Sequence, residues 1–353
     1  MGLHSLYRRI IAGETGPWAA PLRGLLTLLE CGYTVGVALR NRSFDRRGPR
    51  AVLPIPVISV GNLTVGGTGK TPLVIDLVQR LDRLGFTPVV VSRGYGAALG
   101  EPNDEERLIR RQVPGVVCLA DADRRRAGEL AWRQFGADVI VLDDGFQHRR
   151  LGRQLDIVVV DATCPFGYGR LLPRGLLREP VAGLARAGLI VISRCDQVSR
   201  LRLSQVEARV RALAPAAAVL RCRHRVTGVE RLDGTLLALE PTGKRAVVFA
   251  GIGRPQAFLD TVRSLGAEVV AQRWWPDHHR YRRGDIEGLL QSRRLPAHDL
   301  LLTTAKDAIK LARLGGLEHA PIGVVQVAIE FLDGGGDLLR PILDRAIPRG
   351  TVG

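Results

Sequence analysis

Lysine is nearly missing from this 353-residue chain: of 51 Lys and Arg, only Lys70, Lys244, Lys306 and Lys310 are lysines. Against that bias, a lysine in a loop marks a place that needs a compact, flexible ammonium rather than a planar fork. Aromatic residues are scarce too, at 5%. With no zinc-finger or RNP pattern and no long Lys/Arg block, this argues against nucleic acid as the partner, although the formal charge is +16. An anionic membrane surface remains as the acidic partner. Cysteines number five (Cys31, Cys118, Cys164, Cys195 and Cys222), are widely spaced and never form C-x-x-C. That excludes a disulfide frame or zinc site and fits reduced thiols in a cytosolic compartment. The chain has no internal repeat or low-complexity tract, and no segment marks a required protein partner. What it does have is 46% hydrophobic residues, enough for a large core and two domains.

Long apolar runs are limited to one place, residues 22–39, where Arg23 and Glu30 interrupt the stretch and Arg40, Arg42, Arg46 and Arg47 follow it. A span needs about 20 uninterrupted apolar residues. The segment therefore reads either as a helix lying in or partly inserted into a membrane interface, with arginines at the headgroups, or as a buried amphipathic helix. No small-residue cleavage site accompanies it, so it does not read as a signal peptide.

Apolar β-branched runs recur at 55–60, 87–92, 138–142, 156–160, 188–193 and 216–220, with helical segments between them. This predicts an α/β fold with a mostly parallel sheet covered on both faces. Two short strands around Asp233-Gly234 predict a β-hairpin linker over 226–240. A second βα series follows at 245–250, 268–273, 299–304 and 321–328. The expected organisation is a basic N-terminal helical segment over 1–50, a core over 51–225, the linker, and a smaller α/β domain over 241–353.

Ligands of such sheets bind beyond the carboxyl ends of the strands. After the first run comes Gly61-Asn62-Leu63-Thr64-Val65-Gly66-Gly67-Thr68-Gly69-Lys70-Thr71-Pro72, a strand breaking into glycines and restarting as a helix. This is the layout of a P-loop for ATP or GTP, although Thr64 stands where the first glycine is usual. Gly66, Gly67, Thr68 and Gly69 would turn backbone N–H groups onto phosphate oxygens, Lys70 would meet the β- and γ-phosphates, and the Thr71 hydroxyl would ligate Mg²⁺. Pro72 is tolerated in the first helical turn.

The run 139–142 ends in Asp143-Asp144-Gly145-Phe146-Gln147-His148, as a Walker B strand ends in a carboxylate for Mg²⁺. Asp104 and its neighbours Glu105 and Glu106 follow the Ser92-Arg93-Gly94-Tyr95-Gly96 loop and could accept a proton from a substrate hydroxyl. Asp277-His278-His279 leaves three readings open: an acid orienting an imidazole, a metal site, or a polar turn. Arg93, Arg124 and Arg178 are candidates to neutralise phosphate, because a guanidinium can bind phosphate oxygens bidentately.

In order, the segments 61–72, Ser92 to Gly96, Asp104-Glu105, Asp123-Arg124, Asp143 to His148, Leu177-Arg178-Glu179-Pro180, Asp277-His278-His279 and Thr303 to Ala308 closely resemble the tetraacyldisaccharide 4'-kinase (lipid A 4'-kinase) family over about residues 20–330. The resemblance implies transfer of phosphate from ATP, with Mg²⁺, to the 4'-hydroxyl of an acylated glucosamine disaccharide 1-phosphate at the cytoplasmic face of the inner membrane, with peripheral or monotopic attachment. It also implies a P-loop core, an N-terminal membrane-associated helix and a smaller α/β domain. By motif, Asp104 resembles the family's base and His278 its paired histidine. Lys70 and Thr71 match the phosphate and Mg²⁺ contacts, and Asp143, Asp144, Gln147, His148, Arg178, Glu179 and Arg124 match other active-site positions. This chain departs from the Gly-Asp-Glu-Pro of many members, reading Gly100-Glu101-Pro102-Asn103-Asp104-Glu105-Glu106, which leaves Glu105 as the rival base.

Two other function classes stay open from sequence. One is a GTP-binding regulatory or metallochaperone protein, with Ser193-Arg194-Cys195-Asp196 where such proteins carry Asn-Lys-x-Asp. The other is a membrane adaptor that binds nucleotide without transferring phosphate.

Overall fold

The computed structural model describes residues 3–94, 102–237, 240–291, 295–317 and 320–347. Tyr95-Gly96, Gly100-Glu101 and residues 238–239 of the expected hairpin lie outside them. The βα alternation forms one eleven-stranded sheet among the described residues. In chain order the strands are β1 Val57–Gly61, β2 Pro88–Ser92, β3 Val117–Ala120, β4 Val139–Asp143, β5 Leu155–Asp161, β6 Leu189–Ser193, β7 Ala218–Glu230, β8 Arg245–Ala250, β9 Glu268–Trp274, β10 Leu300–Thr304 and β11 Ile322–Phe331. In space they run β3-β2-β4-β1-β5-β6-β7-β11-β10-β8-β9.

Every pairing is parallel except β7 with β11. Strands β1, β2, β4 and β6 are buried at every position, as expected of parallel strands covered on both faces. The join between the two series is an extended β7. Its start pairs with β6 through Ala218 to Arg221, and its remainder pairs with β11 from Cys222 to Glu230. The expected hairpin thus begins as the end of β7. Its turn is present at Gly234 (φ +93°), with the Arg231 amide donating to the Thr235 carbonyl at 2.7 Å.

Ten α-helices occur among the described residues: α1 Leu3–Ala12, α2 Ala20–Arg47, α3 Lys70–Arg83, α4 Asp104–Gln112, α5 Arg124–Phe135, α6 Arg200–Leu213, α7 Pro255–Ser264, α8 Arg283–Leu290, α9 Ala305–Ala312 and α10 Gly335–Ala346. Leu73, Val74, Leu77 and Leu81, spaced by three and four along α3, pack with Leu339 and Leu343 of α10 on one face of the sheet. Ala127 and Ala131 of α5 join Leu53, Val57, Ile140 and Leu142 in a separate core cluster.

Helix α2 extends past the apolar run because no breaker occurs before Gly48, which caps it at φ +65°. Its 28 residues span about 42 Å. Residues Pro17–Arg47 are long and apolar enough to cross a membrane by length and composition. Glu30 and Val37 face the protein, whereas Leu22, Leu25, Leu28, Leu29, Val35 and Leu39 are exposed.

Candidate active site

β1 lies between β4 and β5, and the glycine-rich loop leaving its carboxyl end leads into α3. β1 ends in glycine because the Asp143–His148 turn crosses it: a Cβ on Gly61 would sit 2.5 Å from Phe146 Cβ. Gly69 has φ +91°, and a Cβ there would meet His224 Nε2 at 2.6 Å. The loop is braced on several sides. Asn62 Nδ2 donates to the Thr64 carbonyl at 2.7 Å and to Thr68 Oγ1 at 3.0 Å. Ser193 Oγ donates to the Thr68 carbonyl at 2.9 Å. Arg194, buried and ion-paired with Asp161, donates to the Gly67 carbonyl at 3.2 Å. Lys70 Nζ, at the first position of α3, donates to Asn62 Oδ1 at 3.1 Å and lies 3.4 Å from Asp144. Held this way, the ammonium faces the loop interior where a phosphate would lie.

The two aspartates at the end of β4 differ in environment. Burial, reinforced by the negative charge of Glu105, pushes Asp143 up to about 7. Its Oδ1 has no hydrogen-bond partner among the described residues. At Asp144 burial is outweighed by Lys70 and by Arg178, whose Nη1 donates to Oδ2 at 2.7 Å, so the carboxyl is held down at about 2. A buried, unpartnered carboxylate oxygen beside a phosphate loop is a fit for a cation. Mg²⁺ is commonly held by one or two carboxylates together with substrate phosphates.

Gln147 Nε2 donates to the Asn62 carbonyl at 2.8 Å and to Glu179 Oε1 at 2.9 Å, while Arg186 closes the chain on Glu179 Oε2 at 2.7 Å. His148 is kept neutral by burial and by Arg124, which lower it to about 4. Arg124 itself is buried at the start of α5.

The opposite side of the cleft comes from α4, α9 and the 275–281 loop. Asn103 caps α4 through the Glu106 amide, and the buried Glu106 carboxylate accepts from Ser92 Oγ. This ties the start of α4 to the end of β2 and brings Glu105 into the cleft lining. Asp104 is the neighbouring, half-buried first residue of the helix. Lys306 bridges Glu105 at 3.3 Å and Asp277 at 3.9 Å. Burial works against its charge, but these carboxylates outweigh it and raise the ammonium. His278 lines the cleft with φ +59°, its Nε2 3.9 Å from Asp277 Oδ1. His279 instead stacks on Trp275 and meets Asp285 at 3.2 Å.

The cleft measures about 1090 Å³, and Gly66 to Thr71, Arg93, Arg124, Asp143, Asp144, Gln147, His148, Arg178 and His278 all line it. Glu179 stands behind it as a buried acceptor.

A model of the family described as tetraacyldisaccharide-1-P 4'-kinase matches residues 22–347. The chain belongs to this family. It is 40% identical over 372 residues to the tetraacyldisaccharide 4'-kinase of Anaeromyxobacter sp. (strain K), covering 98% of this chain and 96% of the relative. It is 41% identical over 319 residues to that of Syntrophus aciditrophicus (strain SB), covering 83% and 85%. Among solved structures it is similar to LpxK from Aquifex aeolicus in complex with ATP, with a TM-score of 0.70, 26% identity and coverage of 92% of this chain and 99% of that one.

Sequence reasoning placed Lys306 in the family segment Thr303 to Ala308 of this tetraacyldisaccharide-1-P 4'-kinase family member but gave it no role in the cleft. Its signal was the scarcity of lysine. Two of the four lysines, Lys70 and Lys306, line the cleft, while the buried Lys310 holds Asp307 at 2.9 Å and the Gly251 carbonyl at 3.0 Å. Arg194 stands in the segment that the sequence aligns with a guanine-reading motif. Its pairing with Asp161 and Gly67 makes it a brace under the phosphate loop.

Proposed function

We infer that this chain is a kinase that phosphorylates the 4'-hydroxyl of tetraacyldisaccharide 1-phosphate in lipid A biosynthesis, using ATP and giving lipid IVA. The carrying observation is the family match across residues 22–347, together with a phosphate loop that opens onto the same cleft as the other family motifs. The commitment of Arg194 to Asp161 weighs against the GTP-binding reading.

In the proposed site, Gly66 to Thr71 hold the triphosphate and Lys70 neutralises its outer oxygens. Thr71, Asp143 and Asp144 would hold Mg²⁺, supported by the orphaned Asp143 oxygen. Held there, Mg²⁺ would supply positive charge to offset the negative charge that develops during transfer. Arg93, Arg124 and Arg178 line the cleft as further phosphate contacts, and Gln147, His148 and Glu179 fix the turn after β4.

A carboxylate at the start of α4 accepts the hydroxyl proton as the 4'-oxygen bonds to the γ-phosphorus and the bond to ADP breaks. We assign this role to Asp104, with His278 cooperating and Glu105 as the alternative. The placement of Glu105 on the cleft wall supports the alternative, whereas the family motif supports Asp104. Lys306 joins α4 to the Asp277-His278 loop and so keeps the acceptor side together.

The exposed apolar face of α2 supports attachment to a membrane, peripheral or monotopic, at the cytoplasmic face of the inner membrane. The substrate's acyl chains would stay in the bilayer while its sugar reaches the cleft. We further read residues 51–225 as the nucleotide-holding core and 241–353 as a smaller α/β unit, joined through 226–240. Nucleic acid has no part in this scheme, and no protein partner is needed.

The experiment is transfer of labelled phosphate to a detergent-dispersed tetraacyldisaccharide 1-phosphate, with ATP and GTP compared as donors. Transfer from ATP supports the reading. Nucleotide binding without transfer favours the adaptor, and preference for GTP favours the regulatory protein.

A further inference from the structure

Helix α2 carries an exposed apolar face, and residues on its other side reach into the active-site wall. Tyr33 Oη donates to the backbone carbonyl of Arg178 at 2.8 Å. Seven residues on, about two turns along the same side, Arg40 donates to the backbone carbonyl of Gln147. The two acceptors belong to the two loops that build the metal and phosphate pole. From Arg178 the chain of contacts continues to Asp144 at 2.7 Å and from Asp144 to Lys70 at 3.4 Å. From Gln147 it continues to the Asn62 carbonyl at 2.8 Å, and Asn62 holds Lys70 at 3.1 Å. Both routes start on α2 and end at the same ammonium. The anchoring of α2 is deep at this point, since the buried Glu30 accepts from the Leu171 amide at 2.7 Å.

We propose that Tyr33 and Arg40 are positioning residues for phosphoryl transfer, through which α2 sets the orientation of Arg178 and Gln147 and thereby of Asp144 and Lys70. This rests on reading the cleft as the kinase site. Each contact is to a main-chain carbonyl, so losing it frees a loop without removing a group that touches phosphate. A loop displacement of about 1 Å at such a site can cost about 10²-fold in rate. Loss of a single hydroxyl is milder, and about tenfold is expected, equivalent to about 1.4 kcal/mol in the barrier.

The test compares full-length wild type with Tyr33→Phe, Arg178→Ala and the double variant in labelled-phosphate transfer, with thermal unfolding recorded for each. Tyr33→Phe is expected to lower kcat about tenfold while KM for ATP stays within about twofold. If Tyr33 acts through Arg178, the double variant should be no slower than Arg178→Ala alone. Arg40→Met, which keeps the aliphatic stem, should show the same split between kcat and KM. A wild-type kcat in Tyr33→Phe, even with a lowered Tm, would mean a purely structural bond and overturn the proposal. Multiplicative losses in the double variant would overturn it as well. If the wild type itself transfers no phosphate, the kinase reading falls and takes the proposal with it, a different result from transfer that is merely insensitive to Tyr33.

Discussion

Replacing Asp143 by asparagine should make the metal-free protein more stable at neutral and alkaline pH while removing its turnover. Asp143 is 5% exposed, its Oδ1 lacks a hydrogen-bond partner among the described residues, and burial with the nearby charge of Glu105 pushes the carboxyl from 3.8 up to about 7. The folded chain therefore keeps this proton between about pH 4 and 7, where the unfolded chain has lost it. Stability from the neutral form is present below about pH 4 and is lost as pH rises through about 7. A gap of about three units corresponds to roughly 4 kcal/mol as the net cost of the charged form, with burial and the charge of Glu105 opposing it and Lys70 favouring it. Asparagine has nearly the same shape and avoids that cost. Thermal unfolding in EDTA from about pH 4.5 to about pH 8 shows the effect, because groups remote from Asp143 cancel between wild type and variant and only its neighbours Glu105, Lys70 and Asp144 respond to the change. The two should nearly coincide at the acid end, with the variant several degrees more stable at the alkaline end. Mg²⁺ with ATP should raise the wild-type Tm more than that of the variant. A difference independent of pH, or a variant less stable at about pH 8, would refute the claim that Asp143 is a buried charge awaiting a cation.

Lys70→Ala should remove about 10²-fold or more of kcat without unfolding the protein, since its ammonium faces the loop rather than the core; circular dichroism alongside the transfer assay checks both parts. Asp104→Ala and Glu105→Ala should separate the two candidate bases, the true one losing about 10² to 10⁴-fold in kcat with little change in ATP binding. Gly69→Ala should weaken ATP binding measured by calorimetry, because φ +91° and the His224 imidazole at 2.6 Å both oppose a methyl group there. Changing Leu25, Leu28 and Leu29 together to serine should move the protein from the membrane to the soluble fraction without lowering Tm, since all three are exposed; an unchanged membrane fraction would place the anchor elsewhere.

The central strands were legible because parallel strands buried on both faces are written as apolar β-branched runs, as in Val57-Ile58-Ser59-Val60 and Leu189-Ile190-Val191-Ile192. β7 was legible at its start, in the run 216–220, and at its end, in the hairpin strands, but not as one continuous strand, because Arg221-Cys222-Arg223-His224-Arg225 alternates charged and buried residues. The edge strand β3, four residues long, escaped for want of length. α2 outran the apolar run because no glycine or proline occurs until Gly48-Pro49, and Arg40, Arg42, Arg46 and Arg47 are good helix formers. At the site, groups attached to a strand end or phosphate loop could be read from local order. The contacts of Lys306, Tyr33 and Arg40 could not, since these residues reach the cleft from segments distant in sequence.

The most direct test of the central claim is to locate the phosphate in the product. Wild-type protein, ATP, Mg²⁺ and tetraacyldisaccharide 1-phosphate should give a bisphosphorylated lipid whose new ester is at the 4'-oxygen, resolved by phosphorus and proton NMR, with Lys70→Ala as the blank. A product phosphorylated elsewhere, or ATP consumed with no new ester on the lipid, would contradict the account.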